Sequence, residues 1–393
     1  MSLHDTLREA GGVPSEVGGA QTPRRFGDVA AEVRALREGV ALSALPHVAC
    51  LRVTGDAAHE VLDRVVPADL FVRDGQIRHT LLLREDGTPL VDLYLCGDDD
   101  GFLLIGEGMP AGDLLTHVRA HVPAGAAADI VDLGETHTML SINGPFAWEL
   151  LAAVEGPDVI GLPYLTFYRP GSDRITFRAG KTGEFGYDLL VPHADAQALW
   201  ERIVLAGRPL DLALAGTDAL WHCQLENWFF NIHREGRSGL TPIELQLQWR
   251  VSPTKDYVGA AALRERRRSG AAHRVTALQA KGLISAGDEL VFEGEPIGRV
   301  LHAEPSITIG DRHVGIGLLR AEYAHSGIDR YAAARGGPGI DTGLGIMTRE
   351  RALEPVRTVS APFVNNRSLH VNPQKHTYAL RSEIPFPGAA RHP

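Results

Sequence analysis

The chain has 393 residues, with 44% hydrophobic and 22% charged side chains, as in ordinary globular proteins. Its 39 Lys and Arg against 49 Asp and Glu give a formal net charge of −10, which argues against nucleic-acid binding, since that needs a concentrated basic surface. The three cysteines, Cys50, Cys96 and Cys223, form no C-x-x-C pair, which excludes a zinc ribbon or thioredoxin motif and suits a cytoplasmic protein.

Residues 1–25 are polar, rich in Gly and Pro, and predict an arm with one short helix; they lack the apolar stretch of a secretory signal. FGDVAAEVRALREGVALSAL carries helical periodicity, and HVACLRVTG alternates as a strand does. DAAHEVLDRVV reads as a helix capped by Asp56. In RHTLLLREDGTPLVDLYLC two β-rich runs flank Glu85-Asp86-Gly87, a hairpin turn, and GFLLIGEG is a further strand. ALWERIVLAG and TDALWHCQLENWFF predict helices, and the basic run Arg264 to Arg268 reads as the exposed end of another. From about Val275, VTALQAKG, DELVFEG, PIGRVLHAE and HVGIGLLR are short strands between Gly and Pro turns, the pattern of a small β-barrel. Residues 325–352 read as a long loop or lid, and the Pro-rich stretch after His370 as a surface wrap. There is no regular βαβ beat, so the fold class is α+β. The expected division is a polar arm over 1–25, a two-part α+β region over 26–270, a β-barrel domain over 271–370 and a tail over 371–393. No run approaches 18 apolar residues, so no membrane span is expected.

Phosphate-binding, zincin and hydrolase motifs are absent from the sequence. The 17 histidines show no metal-ligand spacing, so no metal site is expected. Asp92 interrupts the apolar run PLVDLYLC, either on an exposed strand face or buried for a purpose. Glu184 and Asp188 lie four apart in KTGEFGYDLLVP. On an extended strand both point to one side, where two carboxylates can hydrogen-bond a heterocycle rich in N–H donors; the other reading is a solvated turn.

Several stretches in register resemble the folate-binding family of the glycine cleavage T-protein, the aminomethyltransferases. GQIRHTLLLREDGTPLVDLYL is similar to that family's G-Q-x-x-Y-T-x-x-x-x-x-x-G-G-x-x-D-D-L, and INGPFAWELL to V-x-G-P-x-A-x-x-x-L. KTGEFGYDLLVP resembles Y-T-G-E-x-G-F-E-x-x-V-P, and TPIELQLQWRV resembles T-P-x-E-A-G-L-x-W-x-V. The closing SAPFV matches a terminal P-F-V. The resemblance implies three parts around a central hole that holds tetrahydrofolate. It makes Asp92 the active-site acid or base and Asp188 the carboxylate on the pterin edge, with Glu184 in the turn that shapes that strand.

Several positions depart from the family pattern. Lys181 stands for the Tyr before T-G-E, His79 for the Tyr of Q-x-x-Y-T, and Glu107 for an Asn. Counting back from Thr241-Pro242 puts Glu226 on the family's Glu and leaves Leu220 or Thr217 in place of its Arg. Trp221, His222 and Trp228 bring bulk to the same region. The expected cofactor contacts are thus Asp188, Glu184, Glu107 and His79, and the expected substrate contacts Lys181, Trp221, His222 and Trp228. These substitutions favour tetrahydrofolate-dependent methyl transfer or demethylation of a small O-, N- or S-methyl substrate. The alternatives are a T-protein proper and a folate-binding accessory protein. The lost arginine and the net charge argue against a lipoylated carrier protein as partner.

Overall fold

The hairpin at Glu85-Asp86-Gly87 organises the first sheet. Strands Ile77–Leu83 and Pro89–Asp98 run antiparallel around it. Asp86 accepts from the Thr88 amide, and Gly87 takes the left-handed backbone (φ 80°) that the turn requires. The computed structural model describes residues 2–171, 173–335, 352–360 and 362–384. In it these two strands continue into a five-stranded sheet with Gly101–Glu107, Ala49–Thr54 and Asp129–Asp132. A six-stranded sheet follows the order Thr166–Tyr168, Ile175–Arg178, Gly186–Pro192, His137–Asn143, Ala41–Ala44, Ala213–Leu214, its last pair parallel.

Strand alternation decides what lies between the sheets. Val91, Leu93 and Leu95 pack outward under helices Ala58–Val65 and Ala111–Arg119. Tyr94 and Cys96 point the other way, into a shared layer with Met139, Phe177 and Leu190 of the second sheet. Asp92 has the parity of Tyr94, so it faces that inner layer. Helices Ala147–Glu155 and His193–Gly207 cover the far side of the second sheet. Beyond them a closed six-stranded barrel runs from His273–Ala280 to Ala352–Val359, and closure leaves it no free strand edge. The α+β class and the small distal barrel are as the sequence predicts.

Local differences have local causes. The arm is more ordered than its composition suggests: after a Ser2-capped helix Leu3–Glu9, Val13–Val17 and Ala20–Arg25 form a hairpin, tied to helix Thr217–Glu226 by Arg24 and Asp218 at 2.9 Å. Asp56 does not cap its helix, which starts after Ala57 without a side-chain cap. The helix read through TDALWHCQLENWFF stops at Glu226, because Trp228 takes a left-handed backbone (φ 58°). The loop expected over 325–352 contains a barrel strand at Tyr331–Arg335; residues 336–351 lie outside the described residues, as do Ala361 of SAPFV and 385–393 of the tail. The described tail docks rather than wraps loosely, burying Val371, Tyr378 and Ile384 in the core of the second sheet. Among the described residues no helix is long and apolar enough to cross a membrane.

Candidate functional site

Two acids face each other across the first sheet. Asp92 is the direct cross-strand neighbour of Glu107 and is 2% exposed. Like charges opposed on one sheet face repel, so the pair needs a cation. Lys181 supplies it: Nζ lies 2.6 Å from Asp92 Oδ2 and 2.8 Å from Glu107 Oε1. His79 Nε2 and Arg250 Nη1 close on Asp92 Oδ1 at 2.7 and 2.9 Å. Burial alone would push the Asp92 carboxyl up, but Lys181, His79 and Arg250 outweigh it and hold it far below the usual carboxylate range. Burial pushes His79 down to about 4, so its neutral ring donates Nε2–H to the carboxylate. Glu107, half-buried, is held low chiefly by Lys181, which outweighs the burial. Burial opposes the Lys181 charge, yet the two carboxylates raise its pKa.

Lys181 reaches this position through the glycine that follows it. Gly183 has φ 84°, and a Cβ there would lie 2.3 Å from Asn227 Oδ1. Only glycine lets the turn come this close to the end of helix Thr217–Glu226. Asn227 Nδ2 then donates to the Thr182 carbonyl at 2.7 Å, which fixes the loop.

Asp188 stands beside the cluster on the second sheet, opposite Ser141. Ser141 Oγ donates to its Oδ1 at 2.5 Å and accepts from Asn143 Nδ2 at 2.8 Å. Burial raises Asp188 to about 6, and the Ser141 hydrogen bond only partly offsets this. Asp188 lines an inner slot of about 60 Å³ with Leu45, Tyr94, Glu107, Lys181 and Trp221. An outer chamber of about 800 Å³ is lined by His79, Tyr164, Trp228, Trp249 and Arg250. The Asp92 cluster stands at the boundary, with Lys181 on the slot and His79 and Arg250 on the chamber. A flat ring with paired N–H donors suits the Asp188 carboxylate and the aromatic walls. At about 60 Å³ the slot is smaller than a bicyclic ring.

Of the expected site residues, the fold gathers Asp92, Glu107, His79, Lys181, Asp188 and Trp221 around this boundary, and Trp228 at the outer chamber. Two are directed elsewhere. Glu184 shares no face with Asp188, because the strand begins only at Gly186. Its carboxylate accepts from the Arg367 and Ser368 amides and lies 3.8 Å from Arg37, holding the tail segment. His222 is committed to the barrel contact, 2.7 Å from Glu304 and 3.1 Å from Glu226. These two acids push it up to about 9 despite its burial. Leu220 and Thr217 both line the slot; positive charge at the site comes instead from Lys181 and Arg250. Sequence reasoning missed Arg250, Tyr94, His47 and His233. The only signal for Arg250 was a charge at the variable position of TPIELQLQWRV.

A family model described as the GCVT N-terminal domain matches residues 3–255. The aminomethyltransferase of Streptomyces coelicolor is 28% identical over 92% of this chain and 96% of its own length. That of Bacillus subtilis is 27% identical over 83% and 92%. The crystal structure of glycine cleavage system aminomethyltransferase T from Bartonella henselae has the same fold, with a TM-score of 0.81 at 23% identity over 93% of this chain and 98% of that one.

Proposed function

This chain belongs to the GCVT N-terminal domain family, and on that premise we propose that it transfers one-carbon units in partnership with tetrahydrofolate. The observation that carries the proposal is Asp188, a half-buried acceptor on the wall of a slot that leads to an anchored carboxylate, Asp92. The relatives named aminomethyltransferase span nearly the whole chain, which favours an aminomethyl-type unit. Methyl transfer from a small methylated substrate is the second reading. It is favoured by the narrow slot and its Trp221 wall, which suit a small donor better than a long arm. A cytoplasmic setting belongs to the same proposal and rests on three buried free thiols.

Tetrahydrofolate, when bound, supplies the amine nitrogens that carry the one-carbon unit. Asp188 orients the ring edge, and Tyr94 and Trp221 exclude water from the slot. The resemblance makes Asp92 an acid or base; its ion pairs favour a different role. A carboxylate held ionised by three donors is a weak base and holds no proton to give. It is instead a fixed negative charge, preorganised for the positive charge that develops on a transferred carbon bound to nitrogen.

The experiment offers the protein tetrahydrofolate with an aminomethyl-loaded lipoylated carrier, or with a panel of methylated aromatics, amines and sulfonium compounds. Methylene-tetrahydrofolate from the carrier supports the first reading and reinstates the carrier as partner. 5-Methyltetrahydrofolate from the panel supports the second. No product from either, with no folate-dependent rise in melting temperature, removes both.

A further inference from the structure

The two oxygens of Glu107 have different surroundings. Oε1 takes the Lys181 ammonium. Oε2 faces His47 Nε2 and His233 Nε2, each 3.9 Å away, and the three ligand atoms all lie within 4.8 Å of one another. These separations are too long for hydrogen bonds. The His233 side chain is 9% exposed, and its Nε2 is sealed from solvent with no hydrogen-bond partner. A neutral imidazole in that position offers the Nε2 lone pair as a ligand. His47 is held from behind, its Nδ1 3.2 Å from Thr22 Oγ1. With the Thr22 hydroxyl donating to the Ala20 carbonyl, Nδ1–H donates to Thr22 and the Nε2 lone pair points at Glu107. Such a bond from behind is how metal-ligating imidazoles are oriented.

We propose that His47, His233 and Glu107 form a binding site for a divalent first-row transition metal ion, of the class of Zn2+, on the wall of the inner slot. Two imidazoles and a carboxylate are a donor set for such ions, and three protein ligands leave a coordination position open. At the centre of a triangle with two 3.9 Å sides and a third of at most 4.8 Å, an ion would stand no more than about 2.5 Å from each atom. Reaching bonds of roughly 2.0–2.2 Å takes side-chain shifts of under about 1 Å. Lys181, Arg250 and Arg237 oppose a further cation, and Asp92, Glu107 and an ionised Asp188 offset them. His47 and Glu107 both line the slot, so the open position serves a heteroatom of the one-carbon substrate, whose anionic form the ion would stabilise. The three residues are far apart in the chain, which is why histidine spacing gives no sign of the site. The ligand set is assembled without folate, so metal binding is tested apart from the folate reading, on which only the use of the open position rests.

The test uses the full chain, stripped with a chelator and titrated with Co2+ while its visible absorption is followed, with Zn2+ counted after desalting. One tightly held equivalent with ligand-field bands is expected. Thr22→Val should weaken binding by about 10–100-fold, the loss typical of an outer-shell partner. His233→Gln and Glu107→Gln should each weaken it by more. The pair His117 and His121, with ring centroids 5.1 Å apart at the C-terminal end of helix Ala111–Arg119, is the competing site, so His121→Gln should retain the equivalent. Absence of a bound equivalent overturns the proposal. So does an equivalent kept by folded His233→Gln and lost from His121→Gln. Should Glu107→Gln unfold, His233→Gln decides, since that ring makes no hydrogen bond through Nε2 whose loss would destabilise the fold.

Discussion

Two clusters of buried charge lie in this molecule, and they are built differently. The first centres on Arg37, 1% exposed. Its guanidinium donates to Glu226 Oε2 at 2.9 Å and to the Thr182 and Cys223 carbonyls. Glu226 also accepts from the Ser306 and Thr308 hydroxyls. Every charged oxygen and nitrogen there has a partner, and the cluster ties helix Val29–Glu38, helix Thr217–Glu226, the barrel and the tail segment at Asn366. The second centres on Asp92 and leaves gaps. Asp92 Oδ2 meets Lys181 as an ion pair without hydrogen-bond geometry, and Arg250 Nε has no acceptor. Cavities lie on both sides of it. A saturated buried network holds elements together, whereas an unsaturated one beside empty space is arranged for something else to complete it.

The most sensitive break in this comparison is Asp92→Asn. It keeps the shape but leaves Arg250 without its balancing charge and Lys181 with Glu107 alone. Turnover should fall by about 10²–10³-fold with folate affinity little changed. Because the carboxyl is held ionised, the wild-type rate should show no limb from it between about pH 5 and 9. A limb near neutrality that disappears in Asp92→Asn would make it a proton carrier after all. In the first cluster the effect should appear in stability instead. Arg37→Met leaves Glu184 buried without its cation and Glu226 with His222 alone, a loss of about 3–5 kcal/mol in denaturant unfolding. A loss under about 1 kcal/mol would mean that the saturated cluster does not hold the fold.

The sequence made one of these clusters far easier to find than the other. Asp92 was visible as an acid in an apolar strand, and Lys181, His79 and Glu107 as departures from a family pattern. The barrel, the hairpin at Gly87 and the main helices followed from periodicity and turn residues, which act over a few positions. Arg37 sits in a helix whose periodicity makes an arginine look solvent-facing, and its partner Glu226 is 189 residues away. Arg250 reaches Asp92 across 158 residues. His47 and His233 meet at Glu107 only because the first sheet and the segment after helix Thr217–Glu226 converge there. Pairings of that range are set by packing, and no local pattern announces them. Glu184 shows the opposite error: two-residue alternation was extended past the end of a strand into a turn.

Asp188 gives a smaller and pH-dependent effect. Its carboxyl sits at about 6 in the folded chain against an ordinary 3.8, with burial the cause. The native state therefore binds the proton more tightly than the unfolded state. This contribution to stability is fully present below about pH 4 and is lost as the pH rises through about 6. Asp188→Asn should remove that slope and make the protein more stable than wild type at pH 7. It should also lose about 1–3 kcal/mol of folate binding, because a carboxamide cannot accept from both ring donors as a carboxylate does. A variant that keeps the wild-type pH slope would place the titration elsewhere. One that keeps the folate-induced thermal shift would remove Asp188 from the ring site.

The smallest expected effects separate the two cavities that the second cluster divides. Trp221 lines the inner slot and stacks on His233 with ring centroids 5.4 Å apart. Trp228 lines the outer chamber, edge-on to Phe363 at 6.4 Å. If the reacting end of the folate enters the slot and its tail lies in the chamber, losing either ring should weaken a different ligand. Trp221→Ala should raise the KM for the one-carbon substrate by about tenfold, the scale of one lost aromatic contact, with folate affinity within about twofold. Trp228→Ala should do the reverse. Backbone strain complicates the second variant, because Trp228 has φ 58° and alanine is poorly suited to that conformation. Trp228→Asn resolves it, since asparagine tolerates the left-handed region and also removes the ring. If the ring matters, both variants lose folate affinity, whatever their melting temperatures. If Trp228→Asn binds folate normally while Trp228→Ala does not, the residue's contribution is conformational, and the outer chamber loses its claim to the folate tail.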